Sequence, residues 1–233
     1  MFQGETYLLL LFGPLLGGAI GFWLKNKAGR FVRLFLSFSG AFLFSIVAMH
    51  LLPEVFREND KAGLFVLLGF FIQVVLELLS HGVEHGHFHM HRHSAGYVFS
   101  LLFGLSLHSV MDGMPLTHAL VGSTTPSLLY GIVLHKIPEG FALSTVMLYS
   151  GYRAGRTAGL LLLFSLIAPA SVFLLDYFQV PTDSLHILLA IAAGSFIHVS
   201  TTILFESDKG GHHLTWQKLT AILAGVGLSL LSL

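Results

Sequence analysis

The sequence predicts an all-α polytopic membrane protein with eight transmembrane helices and both termini extracytoplasmic. Three observations carry this. Of 233 residues, 54% are hydrophobic and only 10% charged, against about a quarter charged in an ordinary soluble domain. Apolar stretches long enough to span a bilayer, roughly 20 residues each, recur eight times. Basic residues alternate between the loops that join them. With 12 Lys and Arg against 12 Asp and Glu there is no water-facing skin, and mean hydropathy is +0.79. With zero formal net charge no basic field suggests a nucleic-acid partner, and the absence of Cys excludes disulfides and thiolate metal sites. Any metal must be held by His, carboxylate, amide or backbone oxygen.

Span 1 covers residues 6–24. It starts behind Glu5 and is followed by Lys25, Lys27 and Arg30. This reverses the charge order of a secretory signal, so it reads as a true span. Span 2 (31–55) closes on His50-Leu-Leu-Pro53-Glu54, with His50 and Glu54 at i, i+4 near its outer end. Both are candidate entrance residues. Span 3 (62–79) carries Gln73 and Glu77 at the same spacing, and Glu77 is expected at a solvated cytoplasmic end. The loop 81–93 holds His81, Glu84, His85, His87, His89, His91 and His93. Alternate His suits exchangeable metal capture, and the alternative is a solvated polar loop. His212 and His213 would assist from another loop on the same side.

Span 4 (96–122) carries His108 and Asp112, then His118 near its outer end. His118 suits an entry ligand or a hydrogen-bonded structural residue equally. Span 5 (126–149) carries His135, Lys136 and Glu139. Span 6 (157–178) has no carboxylate before Asp176. Span 7 (184–205) has His198 beside Ser200, Thr201 and Thr202, where a bond to a neighbouring helix is expected. Span 8 covers residues 215–233. The four loops after spans 1, 3, 5 and 7 hold nine Lys and Arg, while the others hold only Arg57 and Lys61. Cytoplasmic loops carry the basic excess, so these four face the cytoplasm.

Ionisable groups at membrane depth cost roughly 2.5–3.5 kcal/mol each on insertion scales, and persist where they pair, bind or meet water. His108 and Asp112 lie one turn apart on one helix face, and His135 and Glu139 repeat that spacing on the next helix. A short connection makes the two helices antiparallel neighbours. Two His and two carboxylates can then converge as an N₂O₂ set that suits tetrahedral Zn²⁺ and tolerates Fe²⁺, Mn²⁺ or Cd²⁺. Pro115 and Pro138 each remove a backbone hydrogen bond beside these residues. The alternative is a set of interhelical polar pairs that only hold the bundle together.

The runs His108-Ser-Val-Met-Asp112-Gly113 and His135-Lys-Ile-Pro-Glu139-Gly140 resemble the paired signature of the ZIP (Zrt/Irt-like) metal transporters. That signature is typically His-Asn-x-Pro-Glu-Gly on the fourth span and His-x-x-Pro-Glu on the fifth. The eight spans, exterior termini, His-rich loop between spans 3 and 4 and the run closing span 2 are similar too. The resemblance covers residues 1–233 as one transmembrane domain. It implies a primary transport site of His108, Asp112, His135 and Glu139. It also implies a second metal position at the residues after each motif His and at an acid in span 6. Here those residues are Ser109 and Lys136, and the acid is missing, so the departure points to a mononuclear site. The Lys136 ammonium would fill the second position and pair with Glu139 or Asp112.

The expected activity is uptake of a divalent cation, Zn²⁺ first, as transported substrate and with no cofactor. The expected place is a bacterial or archaeal cytoplasmic membrane. No nucleotide-binding loop or soluble ATPase domain is readable, so direct use of ATP is not expected. Small residues such as Gly17, Gly18 and Gly21 allow close helix packing, including that of a homodimer. The rival activity is a membrane-embedded zinc hydrolase with Glu139 as general base, although no His-Glu-x-x-His motif is present.

Overall fold

The computed structural model describes residues 3–24, 29–58, 60–83, 93–120, 126–205 and 215–231. Its helices are α1 (Gln3–Leu24), α2 (Gly29–Ile46), α3 (Leu52–Glu58), α4 (Ala62–Ser80), α5 (Ala95–Gly113), α6 (Pro126–Tyr149), α7 (Ala154–Ser165), α8 (Ile167–Tyr177), α9 (Thr182–Phe205) and α10 (Trp216–Leu231). The described residues contain no strand. Among the described residues, six stretches of helix are long and apolar enough to cross a membrane: Gly4–Leu24, Phe31–Glu58, Ala62–Ser80, Ala95–Leu116, Ala154–Tyr177 and Thr182–Phe205. Helix α6 has the length, at 24 residues, but His135, Lys136 and Glu139 interrupt its apolar run. Helix α10 is apolar and only 16 residues long.

Proline explains where the spans break. Pro53 cannot donate to the Met49 carbonyl, and just before it α2 widens into the π-helical turn Val47–Leu51. Pro169 denies a donor to the Ser165 carbonyl, and the sixth span divides there into α7 and α8. Pro115 has the largest effect. Hydropathy predicts that span 4 stays helical to residue 122. Instead α5 stops at Gly113 and continues as the 3-10 turns Met114–Leu116 and His118–Leu120. A proline ring this close to the Met111 carbonyl does not fit a continuing α-helix.

The helices are apolar outside and more polar inside, as lipid requires. On α4, Leu64, Leu67, Phe71, Val75 and Leu78 are exposed at three- and four-residue spacing, while Gln73 and Ser80 are buried on the other face. Close packing comes from small residues. A Cβ at Gly69 of α4 would run into the Ile191 carbonyl of α9, and one at Gly194 of α9 into the Val66 carbonyl of α4. Helices α1 and α6 interlock likewise through Gly17 against Ile137 and Gly140 against Pro14. Gly18 faces Leu161 and Gly21 faces Ser144, so the small residues of α1 are used inside the chain.

The largest packing partners are not sequence neighbours. Helix α1 packs on α6, α4 on α9, and α2 on α10, while α5 packs chiefly on α4 and α8. Helices α5 and α6 touch only locally, which narrows the expectation that they would be close antiparallel neighbours. Two of the buried apolar clusters draw on several residues of α6 each, and Phe141 of the same helix joins a third. One includes Leu128, Leu129 and Ile132, and the other Ala142, Leu143, Val146 and Met147 of the same helix. The chemistry-bearing turn of α6, residues 135–139, lies between them.

Candidate metal centre

Helices α5 and α6 meet where their polar residues face each other. His108 Nε2 and His135 Nε2 each lie 3.2 Å from the same carboxylate oxygen, Glu139 Oε1. The imidazole rings stand nearly perpendicular, at 88°, with centroids 5.9 Å apart. His108, His135 and Glu139 each offer one donor atom, and these atoms all lie within 4.8 Å of one another. All three side chains are 0–1% exposed. His108 Nε2, both ring nitrogens of His135 and Glu139 Oε1 make no aligned hydrogen bond among the described residues. Buried polar atoms converging without aligned hydrogen bonds are a costly arrangement that a cation relieves.

Asp112, the fourth predicted ligand, is adjacent but held differently. Its Oδ1 lies 3.5 Å from His108 Nε2 and has no hydrogen-bond partner among the described residues, while its Oδ2 lies 2.6 Å from Lys136 Nζ. Asp112 stands outside the three-residue donor group. Lys136 also lies 3.2 Å from Glu139 Oε2, donates to Ser109 Oγ at 3.1 Å, and sits 5.6 Å above the Phe164 ring. The two predicted second-site residues, Ser109 and Lys136, therefore bond to each other, and the ammonium takes the place between both carboxylates. Each carboxylate presents one oxygen to Lys136 and the other towards the histidines.

The sequence motifs missed one contributor. Gln73 of α4 is fully buried, and its Oε1 lies 2.9 Å from His108 Nδ1 while accepting a hydrogen bond from Ser195 Oγ of α9 at 2.9 Å. Its i, i+4 spacing to Glu77 is visible in the sequence, but contact with another helix leaves no mark there. Glu77 corrects its solvated reading: its Oε2 lies 2.6 Å from His198 Nε2, with the pair only part-exposed. His198 thus bonds to a neighbouring helix as expected, and it also meets the Phe70 ring edge-on.

The remaining candidates lie apart from this centre. His50 sits in the π-helical turn, half-buried, with Nε2 unpartnered among the described residues. Glu54 pairs with Arg57 at 2.6 Å. His118 is exposed in a 3-10 turn, and its backbone N–H donates to Asp176 Oδ1 at 2.9 Å. Of the His-rich loop, His81 and His93 stack on Tyr97 at centroid distances of 4.2 and 3.9 Å. His85, His87, His89 and His91 lie outside the described residues.

No curated protein matches the chain. A family model described as ZIP Zinc transporter matches residues 83–232, more than half of the chain and all of α5 to α10. The match contains the His108–Gly113 and His135–Gly140 runs that build the buried donor group, and leaves α1 to α4 outside it. By that match the chain belongs to the ZIP zinc transporter family.

Proposed function

We propose that the chain takes up a divalent cation, Zn²⁺ before Fe²⁺, Mn²⁺ or Cd²⁺, through a mononuclear site of His108, Asp112, His135 and Glu139. The carrying observation is the buried convergence of His108 Nε2, His135 Nε2 and Glu139 Oε1. Two nitrogens and a carboxylate oxygen make a donor set suited to Zn²⁺. Asp112 Oδ1 supplies the fourth donor. Lys136 stands where a second cation would otherwise sit, and its charge repels one. With neutral histidines, Asp112, Glu139 and Lys136 leave one net negative charge for the incoming ion.

The chain crosses the cytoplasmic membrane eight times as one unit, α6 and α10 included, with both termini outside. The alternation of basic loops supports that orientation. The metal enters from the outer side, where the acids Glu54, Glu58 and Asp60 lie. The apolar clusters that flank residues 135–139 of α6 favour an occluded site, so passage requires helices to move against one another.

The test is zinc uptake into proteoliposomes by the intact protein, His108→Ala and Glu139→Ala, under an imposed zinc gradient. Saturable flux abolished by both substitutions, at equal insertion, is expected. Wild-type protein that binds zinc and moves none overturns the reading and directs attention to hydrolytic activity.

A further inference from the structure

Gln73 touches the site through a geometry that dictates where a proton sits. An amide oxygen accepts hydrogen bonds and cannot donate them. Ser195 donates one to Gln73 Oε1 at 2.9 Å, and His108 Nδ1 lies 2.9 Å from the same atom. The proton of the second contact therefore belongs to His108, on Nδ1. A neutral imidazole protonated on Nδ1 carries its lone pair on Nε2. That is the atom 3.2 Å from Glu139 Oε1 and 3.5 Å from Asp112 Oδ1. Gln73 and Ser195 are both fully buried, so water does not compete for the amide. His135 differs, because neither of its ring nitrogens makes an aligned hydrogen bond among the described residues.

We infer that Gln73 is a positioning residue: held by Ser195, it presets His108 as an Nε2 ligand, whereas His135 adopts its ligating tautomer only when the cation arrives. The inference rests on the metal-site reading above. It makes the two histidines unequal, one supplied ready by the α4·α9 pair and one adaptable. Outer partners that orient a metal-binding His typically control about 10–100-fold in affinity.

The full-length protein, labelled with ¹⁵N-histidine and kept free of zinc in nanodiscs, tests this by NMR and by zinc titration. The His108 signals are assigned by their loss in His108→Gln. In the wild type, Nδ1 should be protonated and Nε2 bare. Gln73→Met, similar in volume but without an acceptor, should give mixed tautomers and lower zinc affinity by about 10–100-fold. Gln73→Glu keeps the acceptor and should hold both readouts near wild type. A packing role alone predicts the reverse order, with Met the milder change. A wild-type His108 protonated on Nε2 overturns the inference, as does a Met variant equal to wild type in both readouts. Should the Met variant fail to fold, the wild-type tautomer and the Glu variant decide. Zinc binding left unchanged in both affinity and stoichiometry by His108→Gln overturns the metal-site reading itself, and with it this role for Gln73.

Discussion

Lys136 Nζ of α6 lies 2.6 Å from Asp112 Oδ2 of α5, and both side chains are 1% exposed. Removing one partner of such a buried pair typically costs about 3–5 kcal/mol, because the other charge is left uncompensated. Lys136→Met should therefore lower the unfolding temperature of the zinc-free protein. It should also enlarge the rise in unfolding temperature on adding zinc, since the cation then meets two unopposed carboxylates. Adding Asp112→Asn to Lys136→Met should restore much of the zinc-free stability. Thermal unfolding of the wild type and the two variants with and without zinc reads this directly. Equal stabilisation by zinc in wild type and Lys136→Met would count against the counter-charge role.

Glu139 and Asp112 are separable by their partners. Glu139 Oε1 is the atom shared by His108 and His135, while Asp112 stands at the margin of the donor group. Glu139→Gln should depress zinc affinity well beyond tenfold, and Asp112→Asn should depress it less. Isothermal titration of the two variants against wild type gives the ranking. The opposite order would make Asp112 the principal carboxylate.

Protons compete with the metal for imidazole nitrogen. Zinc binding by these histidines would need each to be neutral at its ligating nitrogen, so zinc affinity should rise with pH and fall as pH drops. The expected sign is proton release on binding, measurable as buffer-dependent heat in the same titrations. Affinity independent of pH between about 5 and 8 would argue against a histidine site.

Helix α6 is held at its site-bearing turn by α1. A Cβ at Gly140 would run into the Pro14 carbonyl, a backbone atom that cannot swing aside. Gly140→Ala should therefore destabilise the protein by about 1–3 kcal/mol, the usual cost of overpacking, and reduce uptake by moving Glu139. A Cβ at Gly159 of α7 would meet nothing within 4 Å, so Gly159→Ala serves as the silent control. Unfolding temperatures of the pair test the contact, and equal values would dismiss it.

The chain contains no Cys, so single cysteines can report topology without background. Under the proposed orientation, with both termini outside, Asp60→Cys should react with an impermeant thiol reagent added to intact cells. Arg153→Cys should react only after permeabilisation. The reverse pattern would overturn the proposed orientation.

The membrane class, six of the eight expected spans and the two His-x₃-acid pairs were legible in the sequence. Each rests on local periodicity or composition: apolar runs of spanning length, and a His and an acid one turn apart on a single helix. The departure at Lys136 was legible for the same reason, since it sits beside a motif His, and its pairing with Asp112 and Glu139 follows the expectation.

Long-range contact carried the rest. Nothing near Gln73 in the chain shows that its oxygen meets His108, 35 residues away, and Ser195, 122 residues away. Glu77 reads as solvated in the sequence because His198, its partner, is 121 residues distant. The end of α5 at Gly113 escapes the hydropathy pattern, which continues past Pro115 while the hydrogen-bond ladder does not. Tertiary packing also decided which oxygen of each carboxylate faces the histidines and which faces Lys136. Side-chain direction depends on how helices cross, and here Gly140 lets α6 approach α1 closely while Gly194 lets α9 approach α4.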